Sequence, residues 1–543
     1  MEKFTYFHCY TEELWEGYEK NGLLRENFGI RFMSHIRLPK ELTFNELAKK
    51  GGKLYNYIKE HKCPLYVDRL QGGISIQSYE YDTDLVEEYK KLLGDNFLGF
   101  QMHEWLSNYM QDVHKLWEIP EEEWNKENIE RRLREKYTTQ FLYLESMPLE
   151  EFAAYGKPKD IKSLYNNMTR YYKDRAKKLP LVPCSSLCFT YPFEAQAGAK
   201  IIMPEIGAQV PGMRIQLSFA RGVCKAYGIT LGAYYEPWGG DVGTTCTYHK
   251  EHKNEWRFHH SSRAIVGENG GSSRSLHWRV HLYAYLSGAK MISEEWGGYN
   301  TFKDAENYEL SEYGLVKKRF LDFVDKYPNI GEKLAPIAAV VSNDLLSLTT
   351  YWDIEKDARK LFGYELEGEE FEARRSLLLA VDKIFGCNVL MTGSETRSLV
   401  NSTVPDAVDM LNESDGKPLQ NYRYLINLTG DSSFEERYNN CISPEEVTEK
   451  LEQLLPCKVT GGLHYLVNRR GEDGYYLTIF NHSGVIRTVS DGDTVLYDTQ
   501  KTAVVQLKDN RTLKPLEGSK NVSFKDGKYY VTLTGGDYFF AEF

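Results

Sequence analysis

The sequence predicts an α/β protein: a (β/α)8 TIM barrel over residues 1–335, a small α/β (flavodoxin-like) domain over 336–460, and a C-terminal antiparallel β-sandwich over 461–543. Three observations carry this reading. Eight short β-rich runs alternate with helical stretches before residue 335, the pattern of parallel strands joined by crossover helices. A carboxylate recurs where these runs stop: Asp68 closes CPLYVD, Glu104 closes FLGFQMHE, Glu205 closes KIIMPE, Glu236 closes GITLGAYYE, and Glu294 and Glu295 close KMISEE. Beyond 335 the patterning changes, first to buried runs separated by helices and then to strict alternation with Gly, Asp and Asn turns.

The expected barrel strands span 4–10, 30–38, 63–70, 97–104, 181–189, 200–205, 228–236 and 290–295. Between them, stretches such as DLVEEYKKLLG and GMRIQLSFARGVCKAYG repeat apolar residues at helical spacing. A doubly wound open sheet is the alternative, but it needs no eighth strand and usually shows a Gly-rich phosphate turn, which this chain lacks. Residues 110–180 form a charged helical insertion after the fourth strand, with EIPEEEWNKENIERRLREK as an exposed helix. Residues 237–275, after the seventh, read as long loops on the active face. In the second domain PIAAVVS, CNVLMTG and YRYLINLTG are the expected strands, alternating with helices such as ARRSLLLAVDKIFG. The last segment, with its period of two, is the sandwich.

At 543 residues the chain exceeds one ordinary core. Its net charge of −11, with no basic cluster interleaved with aromatics, argues against nucleic acid or an anionic membrane as partner. No run of apolar residues is long enough to span a bilayer. The N-terminus MEKFTYFHCYTEELW runs almost directly into a strand, so the expected location is cytoplasmic. Nine scattered cysteines without a CxxC pair read as reduced buried thiols in place of a disulfide frame or zinc site. The 39 tyrosines, 25 phenylalanines and 9 tryptophans tilt slightly toward a sugar partner, since aromatic faces stack on sugar C–H surfaces.

Strands in a barrel point their C-terminal ends at one face, where acids converge on one pocket. Paired carboxylates in such a pocket suit the cleavage of a glycosidic bond. A retaining enzyme needs a proton donor and a nucleophile about 5–5.5 Å apart. Glu104 and Glu236, at the ends of strands four and seven, are the expected pair. If the strand count is one too high, the nucleophile moves to Glu294 or Glu295 and Glu236 binds substrate; Glu205 is the third contender. The ionised nucleophile raises the donor's pKa by like-charge repulsion and keeps it protonated. Any one strand-end acid is equally well a helix cap or salt bridge; five or six together favour a shared pocket.

The run GENGGSSRSLHWRVHLYAYLSGAKMISEEWGG resembles the segment that joins the nucleophile strand to the last strand in clan A glycoside hydrolases. In family 42 β-galactosidase-like enzymes a similar helix ends in Gly-Ala before a strand closing on tryptophan, matched here by Gly288, Ala289 and Trp296. The order of domains is similar as well. The resemblance implies that Glu104 is the acid/base, that Glu236 is the nucleophile, that no cofactor is needed, and that a homo-oligomer is possible. The clan's usual Asn before the donor is His103 in this chain, and the zinc-binding cysteine cluster of some family 42 members has no counterpart.

His8, His35, Arg37, Asp68 and Arg69 come from the first three strands, where clan A enzymes grip the terminal sugar. If Arg37 and Arg69 both reach the pocket, a uronic acid becomes a fitting substrate; an Arg–Asp pair below the pocket is the structural alternative. His103 and Glu205 are further binding candidates. Trp105, Tyr191, Tyr235, Trp238 and Trp296 are candidate stacking platforms or core residues. Only one of Glu294 and Glu295 faces the pocket, because neighbours on a strand point oppositely; Glu295 is taken as the binding residue. The histidines 249, 252, 259 and 260 lack a helix-borne HExxH and read as a solvated loop, with no metal assigned. The expected activity is a retaining, exo-acting hydrolase of a terminal, β-linked sugar. A metal-dependent sugar isomerase using Asp68, Glu205, Glu236 and His103, or a silent carbohydrate-binding barrel, are the alternatives.

Overall fold

The computed structural model describes all residues other than 1–2, 34–42, 72–73, 76–79, 104, 137–146, 160, 186–189, 208–211, 237–245, 250–254, 259–272, 296–300, 304–305, 343–359, 362–363, 366–367, 387–398, 414–416, 473, 489–491 and 496. Eight parallel strands close into a barrel: β1 (Thr5–Tyr10), β2 (Phe28–Met33), β3 (Leu65–Gln71), β4 (Phe97–His103), β5 (Leu181–Ser185), β6 (Ile201–Gly207), β7 (Thr230–Glu236) and β8 (Met291–Glu294). Each pairs with its sequence neighbour, and β8 returns to β1 through Thr5, Tyr6 and Phe7 against Met291, Ile292 and Ser293. All eight expected strands are present, and the strand ending on Glu236 is the seventh.

Side chains alternate across the barrel wall because a strand has a period of two. One set fills the interior as an apolar plug: Phe7, Tyr66, Val182, Cys184, Ile201, Met203, Tyr234 and Met291. The other set, including Tyr6, Phe100, Met102, Ile202, Ala233, Tyr235 and Ile292, joins the layer under the helices. The β3–β4 register slips beside Gly99, whose φ of 114° and close approach to the Pro180 carbonyl leave no room for a Cβ.

The insertion after β4 is helical, with helices at Trp105–Leu116, Lys126–Lys136, Leu149–Ala154 and Ile161–Lys178. The helix Lys126–Lys136 buries Ile129 and Leu133, one turn apart, and carries ion pairs such as Arg134–Glu130 on its outer face. The helix Arg274–Leu286 behaves differently. Ser273 caps it by accepting from the Leu276 N–H, and every residue from Leu276 to Leu286 is buried. It lies between the barrel and a C-terminal sheet: Trp278 meets the Tyr538 ring at 5.4 Å, and Ser275 Oγ donates to the Gly536 carbonyl at 2.6 Å.

A three-stranded parallel sheet follows, in the order Val408–Asn412, Ile337–Val341, Tyr424–Leu428. PIAAVVS and YRYLINLTG form two of its strands, the third is one that hydropathy did not mark, and CNVLMTG lies outside the described residues. The helix Met213–Tyr227 packs on this sheet so closely that a Cβ at Gly222 would stand 2.0 Å from the Met410 carbonyl oxygen. The last segment forms antiparallel sheets of five and four strands. Glu332–Lys333, from the end of the barrel segment, adds a short strand to the former by pairing with His464–Arg470. No helix among the described residues is long and apolar enough to cross a membrane.

Candidate active site

The carboxyl ends of the barrel strands carry a convergent polar set above the apolar plug. Arg31 on β2 is fully buried and pairs with Asp68 on β3, Nη2 to Oδ2 at 2.5 Å. The same nitrogen donates to the Tyr234 hydroxyl of β7 at 2.7 Å, and Nη1 donates to the Glu294 carbonyl. Burial opposes the guanidinium charge, but the Asp68 carboxylate, together with the Tyr234, Tyr66 and Cys9 side chains, outweighs it and holds the Arg31 pKa well above its ordinary value. Asp68, expected to bind sugar, is thereby committed to Arg31; its Oδ1 accepts no hydrogen bond among the described residues. Beside this pair the Tyr66 hydroxyl donates to Ser293 Oγ at 2.7 Å, tying β3 to β8 across the interior.

His103, the last residue of β4, stands between two carboxylates. Its Nε2 is 3.8 Å from Glu205 Oε1 on β6 and 3.7 Å from Glu295 Oε1, the residue following β8. Cys184 of β5 lies beside His103 in the register, as Val182 lies beside Gln101. Gln101 is fully buried, and neither atom of its amide has a hydrogen-bond partner among the described residues. The expected binding residues His103, Glu205 and Glu295 are thus brought together.

Glu294 turns the other way, as strand alternation requires. Its Oε1 accepts from the Tyr6 hydroxyl at 2.6 Å and lies 2.8 Å from His281 Nε2, while Oε2 meets Lys317 Nζ at 3.0 Å. Burial alone would push this carboxyl up; Lys317 and then His277 hold it well below the usual carboxylate range. Burial also pushes His277 itself down to about 4, so it is neutral at ordinary pH.

Glu104 follows β4 directly and lies outside the described residues, as do His35, Arg37, Trp238 and Trp296. Arg69 belongs to β3, and Glu236 closes β7 opposite Gly207 in the register. Tyr235 does not occupy the stacking position expected of it: its ring lies in the layer under the helices, 5.2 Å from the His277 ring. Trp105 and Tyr191 are core residues, with Trp105 Nε1 donating to Glu194 at 3.2 Å and the Tyr191 hydroxyl donating to the Ser185 carbonyl at 3.1 Å. His8 is buried beneath the helices and bonded to the Leu23 carbonyl at 3.1 Å. Of the loop histidines, His249 ends a short hairpin of Cys246–His249 with Glu255–Phe258, and 252, 259 and 260 lie outside the described residues.

Sequence reasoning missed Arg31, Gln101, Cys184 and Tyr234. Their signal was present: each shares the inward parity of its run with residues that were chosen or with the plug.

No family model matches this chain, and no curated protein matches it. Among solved structures it is similar to the α-L-fucosidase isoenzyme 2 from Paenibacillus thiaminolyticus, with a TM-score of 0.46 and 9% identity over 100% of this chain and 99% of that one. It is also similar to the polyextremophilic β-galactosidase from the Antarctic haloarchaeon Halorubrum lacusprofundi, with a TM-score of 0.43 and 10% identity over 99% of both chains. At this distance neither likeness bears on substrate or mechanism, which rest on the site itself.

Proposed function

We propose that this chain is a retaining glycoside hydrolase that removes a terminal, β-linked sugar by double displacement. One observation carries the reading: in a closed eight-stranded barrel, the seventh strand ends on Glu236 and the fourth is followed directly by Glu104. Glu236 is the nucleophile that attacks the anomeric carbon, and Glu104 protonates the leaving oxygen. Glu104 then removes a proton from the water that releases the glycosyl enzyme. His103, Glu205 and Glu295 supply polar contacts to the sugar beside this pair. Exo action is inferred from the length in sequence of the insertions at 110–180 and 237–275, since long loops on the active face of a barrel favour a pocket over an open cleft.

A panel of nitrophenyl glycosides followed by NMR tests the mechanism. The expected first product has the anomeric configuration of the substrate, and an inverted first product rejects double displacement. Metal-dependent sugar isomerisation is the second reading, favoured by the proximity of His103 and Glu205. It loses Asp68 from its ligand set, since that carboxylate is held by Arg31. Aldose–ketose interconversion abolished by chelator, with no glycoside turnover, would establish it instead.

A further inference from the structure

We propose that the barrel mouth holds a late first-row divalent cation, zinc or a close relative, on His103, Cys184 and Glu205. These residues come from three consecutive strands, β4, β5 and β6, and all are buried. An imidazole nitrogen, the Cys184 sulfur and a carboxylate oxygen lie within 4.8 Å of one another. Bonds of about 2.0–2.3 Å in a tetrahedral site put neighbouring donors roughly 3.3–3.8 Å apart. His103 Nε2 and Glu205 Oε1 already stand at 3.8 Å, and the Cys184 sulfur, within 4.8 Å of the other two donors, has at most about 1 Å to close to reach tetrahedral spacing.

The donor set selects the metal. Thiolate and imidazole disfavour calcium and magnesium, which take oxygen, and suit zinc, cobalt or iron. Three protein ligands leave a fourth position for water or a substrate hydroxyl, as in catalytic zinc sites. The apolar plug from Val182, Ile201 and Met203 surrounds the site from below, and a dry wall strengthens each bond to the cation. Binding requires the thiol to lose its proton, so uptake releases protons and weakens as pH falls.

A second histidine–carboxylate cluster shows by contrast what excludes a metal. His277, His281 and Glu294 also converge. There the Lys317 ammonium stands 3.0 Å from Glu294 Oε2 and already supplies the cation. The proposed site shares His103 and Glu205 with the sugar contacts of the glycosidase reading, and it would anchor His103, the residue preceding the proposed acid/base.

The full-length protein, stripped with chelator and titrated with Co2+ under reducing conditions, provides the test. One Co2+ per chain is expected, with a near-ultraviolet thiolate-to-cobalt absorption band that Zn2+ displaces. Cys184→Ser should abolish the band. His103→Gln, checked for native circular dichroism, should weaken Co2+ binding by at least about 10–100-fold. Substoichiometric uptake, or binding without the thiolate band, overturns the proposal. A band that survives in Cys184→Ser, or unchanged affinity in His103→Gln, overturns it as well. None of these readouts depends on glycoside turnover.

Discussion

Glu294 and Glu295 are adjacent, yet they belong to different environments because successive strand residues face opposite sides. Glu295 reaches His103 in the barrel mouth, and Glu294 neutralises Lys317 between the barrel and the helices. Glu294→Gln therefore leaves a buried ammonium uncompensated and should cost about 3–5 kcal/mol in urea denaturation. Glu295→Gln should change stability far less and alter substrate affinity instead; equal destabilisation by both would refute this division. The same logic applies to Arg31. Asp68→Ala strands its guanidinium inside the barrel and should destabilise the fold by a similar several kcal/mol. Parity made the split between the two glutamates legible in sequence. The Arg31–Asp68 partnership was not, because the arginine and aspartate that meet stand 37 residues apart, on neighbouring strands whose register only the folded barrel sets.

At the scale of elements, the eight barrel strands were legible because each is a continuous apolar run, buried on both faces. The strand Val408–Asn412 was not. Asp409 interrupts its apolar pattern, and its burial is made tolerable only by tertiary partners: Arg221 at 2.5 Å, Lys225 at 3.0 Å and Tyr422 at 2.8 Å. Arg221 and Lys225 belong to the barrel helix Met213–Tyr227, so this ion cluster and the contact at Gly222 join the barrel to the parallel sheet. Gly222→Ala should force the helix off the strand and destabilise the protein by about 1–3 kcal/mol or more. A thermal midpoint unchanged in that variant would contradict so close a packing.

For the whole molecule, buried histidines set the response to acid. Burial pushes His8 down to about 3 and His277 and His464 each down to about 4, against an ordinary value of 6.5. Below pH 6.5 the unfolded chain binds protons that the folded chain refuses, so stability present at higher pH is lost as pH falls toward 4. Each histidine contributes a slope of up to about 1.4 kcal/mol per pH unit. Glu294 adds to the loss below 4.5, its ordinary value, because its folded pKa is held down. Urea denaturation at pH 7, 6 and 5 should show a progressive decline; a flat profile would contradict neutral buried imidazoles. This behaviour was not legible in the sequence, where a histidine's burial depends on helices folding over the barrel.

The central claim is that the acids at the ends of β4 and β7 act as a catalytic pair. Its most direct test is azide rescue of Glu236→Ala on an activated aryl glycoside that the wild type cleaves. Turnover should fall by roughly 10⁴-fold or more, and azide should restore it with a glycosyl azide of inverted configuration as product. Near wild-type turnover in Glu236→Ala, or rescue that gives the retained azide, would contradict the assignment of Glu236 as nucleophile.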